Sequence, residues 1–283
     1  MHARLACALA LALLCASAGA DAPVAGARDA ALVQAQLATL PAQRPGRVDL
    51  YAIGMAGDGN ERVFSNEVHH LRRLARSRYG AGTVLLANGP GSFDPPGLPL
   101  ATIDTLREAL RGVAQVMDAR EDVLLLFITS HGLPEGGVAL DFMPIVSETL
   151  EPATLRALLD ASGIEHRVVV VSACYSGGFL AALRDPGTLA ITAARADRPS
   201  FGCGTESELT YFGRAFLVDG LNAHLDFRAA FDAARVAVTR RERAEDYPPS
   251  WPQMRAGRAI GPVLDAWRAG VQPGAAVEFS AKE

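Results

Sequence analysis

At 283 residues the chain is long enough for one large domain or two small ones, and an apolar fraction of 49% against 20% charged residues belongs to a packed globular protein rather than a disordered one. The formal charge is −4 and no basic run stands out, so nothing in the sequence offers the electrostatic footprint that nucleic-acid binding requires. No later stretch is apolar for long enough to cross a bilayer, which needs about 20 residues as a helix, so no stable membrane insertion is expected.

The first residues read as a targeting segment. Arg4 is followed by an unbroken apolar run from Leu5 to Cys15 and by small residues ending Ala18-Gly19-Ala20. A positive start, a short apolar core and an A-x-A exit predict a secretory signal peptide over residues 1–20, cleaved near Ala20, and a periplasmic or secreted product. Leu13-Leu14 lack the small residue expected beside a lipidated Cys15. Cleavage removes Cys7 and Cys15 and leaves Cys174 and Cys203. Two cysteines in an oxidising space pose a choice between one disulfide and a free, reactive thiol.

Residues 21–46, rich in Ala with Pro and Gly, read as a flexible lead with at most one short helix. A strand from Arg47 to Met55 runs into the turn-forming Ala56-Gly57-Asp58-Gly59-Asn60, and a helix follows with Val68, Leu71, Leu74 and Ala75 on one face. Thr83–Ala87 is a short buried strand, residues 88–100 a loop of Pro and Gly, and Thr102 to Met117 an amphipathic helix. Asp122 to Thr129 is apolar on both alternations, as a central parallel strand must be when helices cover both faces. Gly137 to Phe142 is a further strand, and Pro152 to Leu159 a helix with its stop at Gly163. A second fully buried strand spans Arg167 to Ala173, then come a short helix from Gly177 to Arg184 and a strand from Thr188 to Ala193. Thr210 to Asp219 and Asp226 to Arg243 are helical, Tyr247 to Pro252 breaks the pattern, and a last short helix begins near Val263. Strands alternating with helices predict one α/β domain over residues 47–270, with a mainly parallel sheet, helices on both faces and a tail from 271 to 283.

In open α/β sheets, chemistry gathers beyond the carboxyl ends of the strands. Two buried strands here end in reactive residues, one in Thr129-Ser130-His131-Gly132 and the other in Ser172-Ala173-Cys174-Tyr175-Ser176-Gly177-Gly178. If the strands are neighbours, His131 and Cys174 emerge side by side. An imidazole neighbour and a helix N-terminus both favour the thiolate, and the N–H groups of Gly132 and Cys174 can face a developing oxyanion. Either residue alone at a strand end is more often structural; the pair, each followed by glycine, points to a catalytic dyad.

Two alternatives stay open at this stage. Cys174-Tyr175-Ser176-Gly177-Gly178 approaches the nucleophile elbow of serine hydrolases, with Ser176 as nucleophile and His224 as the one later histidine. A non-catalytic binding protein on the same fold is the other. His69-His70 point apart on a helix, and His166 and His224 lack partners at ligand spacing, so no metal or other cofactor is expected.

The blocks 124–132 and 168–178 resemble the His-Gly and Ala-Cys blocks of the caspase-like cysteine peptidases, and most closely those of the legumain family, peptidase family C13 in its bacterial form. The likeness continues through Thr192–Cys203 and Thr210–Gly213 and more loosely to Asn60, over roughly residues 47–255. It implies a caspase-like fold and an endopeptidase acting on peptide or protein substrates through a thioester, with Cys174 as nucleophile and His131 as general base and acid. It also implies that Asn60 supports the histidine, that Arg62 binds the substrate side chain, and that Ser200 lines the pocket wall. Two positions depart from that pattern. Ser172 stands where legumains carry an acidic residue two places before the cysteine, and Arg214 stands where they carry one after Tyr-x-Gly. Both changes take negative charge from the primary pocket, which leaves acidic and neutral side chains as open as asparagine. Hydrolysis and amide transfer share the thioester and stay open, as does the oligomeric state.

Overall fold

The computed structural model describes residues 24–86, 97–204 and 206–280. The segment read as a signal peptide lies outside them, as do Ala87 of the expected strand and residues 88–96 of the Pro/Gly stretch. The strands are β1 (Leu50–Ala56), β2 (Gly82–Leu86), β3 (Val123–Thr129), β4 (Val138–Phe142), β5 (Val146–Leu150), β6 (His166–Ser172), β7 (Thr188–Thr192) and β8 (Gln253–Ala256). The helices are α1 (Val24–Leu37), α2 (Arg62–Tyr79), α3 (Ile103–Val116), α4 (Pro152–Ser162), α5 (Phe179–Ala182), α6 (Tyr211–Gly213), α7 (Leu221–Ala223), α8 (Phe227–Ala244) and α9 (Ile260–Gly270). A seven-residue π-helical stretch, Arg214–Gly220, joins α6 to α7.

Six strands form one sheet in the order β2-β1-β3-β6-β7-β8, parallel except for β8. β4 and β5 form a separate antiparallel hairpin. The two-sided apolar runs read from the sequence are the central strands, and every residue of β3 is buried. Alternate side chains enter opposite cores. Leu125, Phe127, Val168 and Val170 pack with α2, α8 and α9, whereas Leu124, Leu126, Ile128, Val169 and Val171 pack with α1, α3 and α4. Helices therefore cover both faces, as expected. Local signals set the helix ends: a capping box at Thr102 starts α3, Pro152 opens α4, and Gly163 ends α4 at φ 71°.

Three segments differ from expectation. The lead carries a 14-residue helix. Residues 24–37 form α1, whose Val33 and Leu37 are buried, and Gln36 gives and takes hydrogen bonds on the main chain of Leu85 (Nε2 to O, 2.9 Å; N to Oε1, 2.8 Å). One amide side chain thus satisfies backbone groups on the outer edge of β2, a role that Ala-rich composition does not announce. β5 and β8 escaped the sequence reading because both are short and mostly unburied, Val-Ser-Glu-Thr-Leu and Gln-Met-Arg-Ala, with little apolar alternation to see. The tail after α9 lies along α2. Arg78 Nη1 donates to the Gly274 carbonyl, Asn222 bonds both the N–H and the C=O of Val277, and Arg73 Nη2 donates to the Ser280 carbonyl.

Gln36→Ala should lower the unfolding free energy by about 1–3 kcal/mol in urea titration, because two main-chain groups of β2 lose their partner. An unchanged midpoint would show that α1 does not hold this edge.

Candidate active site

The carboxyl ends of β1, β3, β6 and β7 converge, and each contributes a segment. β3 and β6 pair in parallel with Thr129 opposite Ser172, and the ladder runs one step further through Ser130 N to Ser172 O at 3.3 Å. His131 and Cys174 are each two residues past that pair, so the register brings them level and on the α2 side of the sheet. The approach is close: a Cβ placed on Gly132 would lie 1.7 Å from the Cys174 carbonyl oxygen, so only glycine fits there. The Gly132 N–H is not taken up by main-chain pairing among the described residues, and the Cys174 N–H faces its own Sγ.

Main-chain bonds stitch the histidine segment in place. Ala139 N donates to the His131 carbonyl, and Ser130 Oγ donates to the Ala139 carbonyl at 2.6 Å. The same β4 strand bonds the β1 loop on its other side, through Asp141 N to Gly57 O and Gly59 N to Asp141 O. The imidazole edge meets the Phe64 ring at 5.1 Å, and its Nε2 lies 3.8 Å from Asp58 Oδ2. The histidine is 40% exposed, open to a substrate, while Asp58 is buried.

Cys174 is half-buried at the turn from β6 into the short helical segment, and Tyr175 takes the left-handed conformation at φ 56°. A non-glycine residue at that angle is strained, and the strain sits directly after the thiol. The Tyr175 N–H is held by the Arg198 carbonyl at 2.8 Å. Sγ accepts from the Ser200 N–H at 3.2 Å and faces the Ser200 carbonyl at 3.4 Å. Burial pushes the thiol above its ordinary value, and the N–H groups of Ser200 and of Cys174 itself offset this only in part. Cys203 is a second free thiol, raised first by burial and then by the charge of nearby Cys174.

The other residues singled out by sequence fall in different surroundings. Asn60 is exposed, and its backbone N–H donates to Asp58 Oδ1 at 2.6 Å. Arg62 is exposed at the first turn of α2. Ser172 is buried, its hydroxyl 3.4 Å from that of Thr210. Ser200 meets the thiol through its main chain. Arg214 is exposed, with its guanidinium over the Phe279 ring of the tail at 5.7 Å. Ser176 is buried, and its hydroxyl accepts the Ala194 N–H at 3.1 Å. His70 is also buried, between Arg73 and Phe279, and its burial holds the imidazole down at about 4.

Two acidic residues at the site went unread in the sequence. Asp58 was passed over as a turn former, although the strand-end logic that found His131 and Cys174 applies equally to the loop after β1. Glu67 lies on the buried face of α2, where a charge among apolar neighbours was the available signal. Beyond Ser200, Phe201 stacks on Tyr247 at 4.4 Å, and the guanidinium groups of Arg195 and Arg198 lie over Trp251. This aromatic and cationic wall flanks the segment that holds the thiol.

The thiolate ultraviolet absorbance that Cys174→Ala removes should titrate above the free-thiol value of about 8.5; a midpoint below it would show an ion pair in the resting site. Gly132→Ala should unfold the protein more easily, or leave it folded with the histidine segment pushed away from Cys174 and its iodoacetamide labelling slowed. Wild-type stability together with a wild-type labelling rate would contradict the close approach.

Comparison with curated proteins gives no match. A match to the Peptidase C13 family covers residues 103–261, which include β3 with His131, β6 with Cys174, and the segment that bonds Sγ. The six-stranded, mostly parallel sheet with helices on both faces is consistent with the caspase-like fold of that family. The chain belongs to the peptidase C13 family and is a cysteine peptidase.

Proposed function

We propose that the protein is a legumain-like endopeptidase that cleaves peptide bonds through a thioester on Cys174, with His131 as general base and then general acid. One observation carries the reading: the register that sets Thr129 opposite Ser172 brings imidazole and thiol level, beside a buried carboxylate.

The chemistry follows from the groups present. Burial keeps the resting thiol neutral, so the proton leaves as sulfur attacks the substrate carbonyl carbon, and His131 takes it. Asp58 faces Nε2, which leaves Nδ1 as the accepting nitrogen and sets a negative charge against the imidazolium that forms. The carbonyl oxygen becomes an oxyanion within reach of the Gly132 and Cys174 N–H groups; losing one such donor typically costs about 2.7–4 kcal/mol. Collapse breaks the C–N bond, and the His131 proton goes to the leaving amine. Water, deprotonated by the same imidazole, then cleaves the thioester and restores the thiol; an amine in place of water gives transfer instead.

The serine-hydrolase reading loses support from Ser176, whose buried hydroxyl already holds the main chain of Ala194. A binding protein without activity would have no use for the strained Tyr175 turn that presents the thiol.

On a peptide library, Cys174→Ala should abolish cleavage and Ser176→Ala should retain it; the reverse pattern would sink the cysteine mechanism. Asp58→Asn should lower kcat by about tenfold with KM little changed, the worth of one charge-assisted contact. No cleavage of any amide by the wild-type enzyme would remove the endopeptidase proposal altogether.

A further inference from the structure

The fully buried Glu67 is used by none of the steps above, yet it touches both strands that deliver the dyad. We propose that Glu67 is the positioning residue that locks the His131 and Cys174 strand ends at one level, acting through the hydroxyls of Thr129, Ser172 and Thr210; this rests on the dyad reading.

Glu67 Oε2 accepts from Thr129 Oγ1 at 2.7 Å, and Oε1 accepts from Thr210 N at 2.9 Å and from Thr210 Oγ1 at 2.6 Å. Ser172 adds a hydroxyl beside this group, 3.4 Å from Thr210 Oγ1. Thr129 and Ser172 are the last residues of β3 and β6 and face each other in register. His131 and Cys174 each stand two residues beyond these strand ends. One carboxylate therefore ties Thr129 directly, and Ser172 through Thr210, to the helix that also meets the imidazole.

The same helix controls the histidine directly. Phe64 and Glu67 sit three residues apart on α2 and so on one helical face. Phe64 meets the imidazole edge while Glu67 takes the threonine beneath it. Gly213, after Thr210, completes the cage: a Cβ there would lie 1.9 Å from Glu67 Oε1.

The bonding pattern requires a carboxylate rather than any polar side chain. The Thr210 hydroxyl accepts the Gly213 N–H at 2.8 Å and gives its own proton to Glu67 Oε1. Donors thus approach both oxygens, and a glutamine would turn its own NH2 toward one of them. Burial raises the carboxyl above its usual range, and the bonds from Thr210, Thr129 and Ser172 pull it back.

The test is a double-mutant cycle on the rate at which iodoacetamide labels Cys174 at neutral pH, resolved from Cys203 by peptide mass spectrometry and corrected for the folded fraction. His131→Ala and Glu67→Gln should each slow labelling, the latter by about ten- to a hundredfold, the scale of a small misplacement. If Glu67 acts by aligning the pair, adding His131→Ala to Glu67→Gln should slow labelling little further. Thr129→Val, which removes the link from the other end, should behave like Glu67→Gln and covers the case in which that variant does not fold. In peptide cleavage both should lower kcat and leave KM within about twofold. Folded Glu67→Gln labelled at the wild-type rate, or a His131→Ala effect undiminished in that background, would reduce Glu67 to a stabilising residue and overturn the proposal. If the wild type cleaves no amide, the peptidase reading falls while the cycle still reports on Glu67. If His131→Ala leaves labelling unchanged, the dyad falls and the positioning role with it.

Discussion

The parallel pairing of β3 with β6 is the constraint on which the site depends. Strand direction places both C-terminal ends at one edge, and register decides whether the residues beyond them meet. A slip by one residue would turn one of the two reactive side chains to the opposite face of the sheet. The register is held from both sides. Leu125, Phe127, Val168 and Val170 must face the core beneath α2, and their neighbours must face the other core. Where the apolar pattern ends, buried polar residues take over, Thr129, Ser130 and Ser172 at the strand ends and Thr210 at the start of α6, and each has a named partner. Satisfying these groups takes Glu67 from α2 and the main chain of β4, so elements distant in sequence are tied to the same two strand ends.

What could be read in the chain follows from how each feature is encoded. The central strands declare themselves through unbroken apolar runs, and His131 and Cys174 through chemistry placed just after them. Gly163 and Pro152 mark their helix by local backbone rules that tertiary contacts did not override. β5 and β8 are edge or hairpin strands stabilised by main-chain pairing, which no side-chain periodicity reports. The docking of α1 rests on buried Val33 and Leu37 and on Gln36, which reaches an edge strand through a long-range contact invisible to composition. The same limit applied at the site. By resemblance Asn60 supports the histidine; the carboxylate 3.8 Å from the imidazole is that of Asp58, and Asn60 bonds it through its main chain. Arg214 follows the expected motif by position, but its guanidinium meets a tail residue that no local pattern brings near.

The surroundings of the thiol show how a reactive group is kept quiet. Cys174 is neither exposed nor paired with a cation, and burial raises its pKa. The strained Tyr175 turn and the bond from Ser200 fix where sulfur points without ionising it. Such a thiol reacts slowly with ordinary electrophiles and needs a base held in place at the moment of attack. In the proposed mechanism orientation is then the larger part of activation, and the rigidity of the two strand ends would serve chemistry as well as stability.

That logic also accounts for Ser172. By resemblance, an acidic residue belongs two places before the nucleophile, and here the position lies against Glu67. Two carboxylates in that buried space could not both ionise, and one would have to hold a proton. A serine adds no second ionisable group and places its hydroxyl 3.4 Å from that of Thr210. The departure at Ser172 and the carboxylate on α2 are then two halves of one arrangement. The carboxyl group near this strand end comes from a helix packed on the sheet, where it holds strands and is buried away from any substrate.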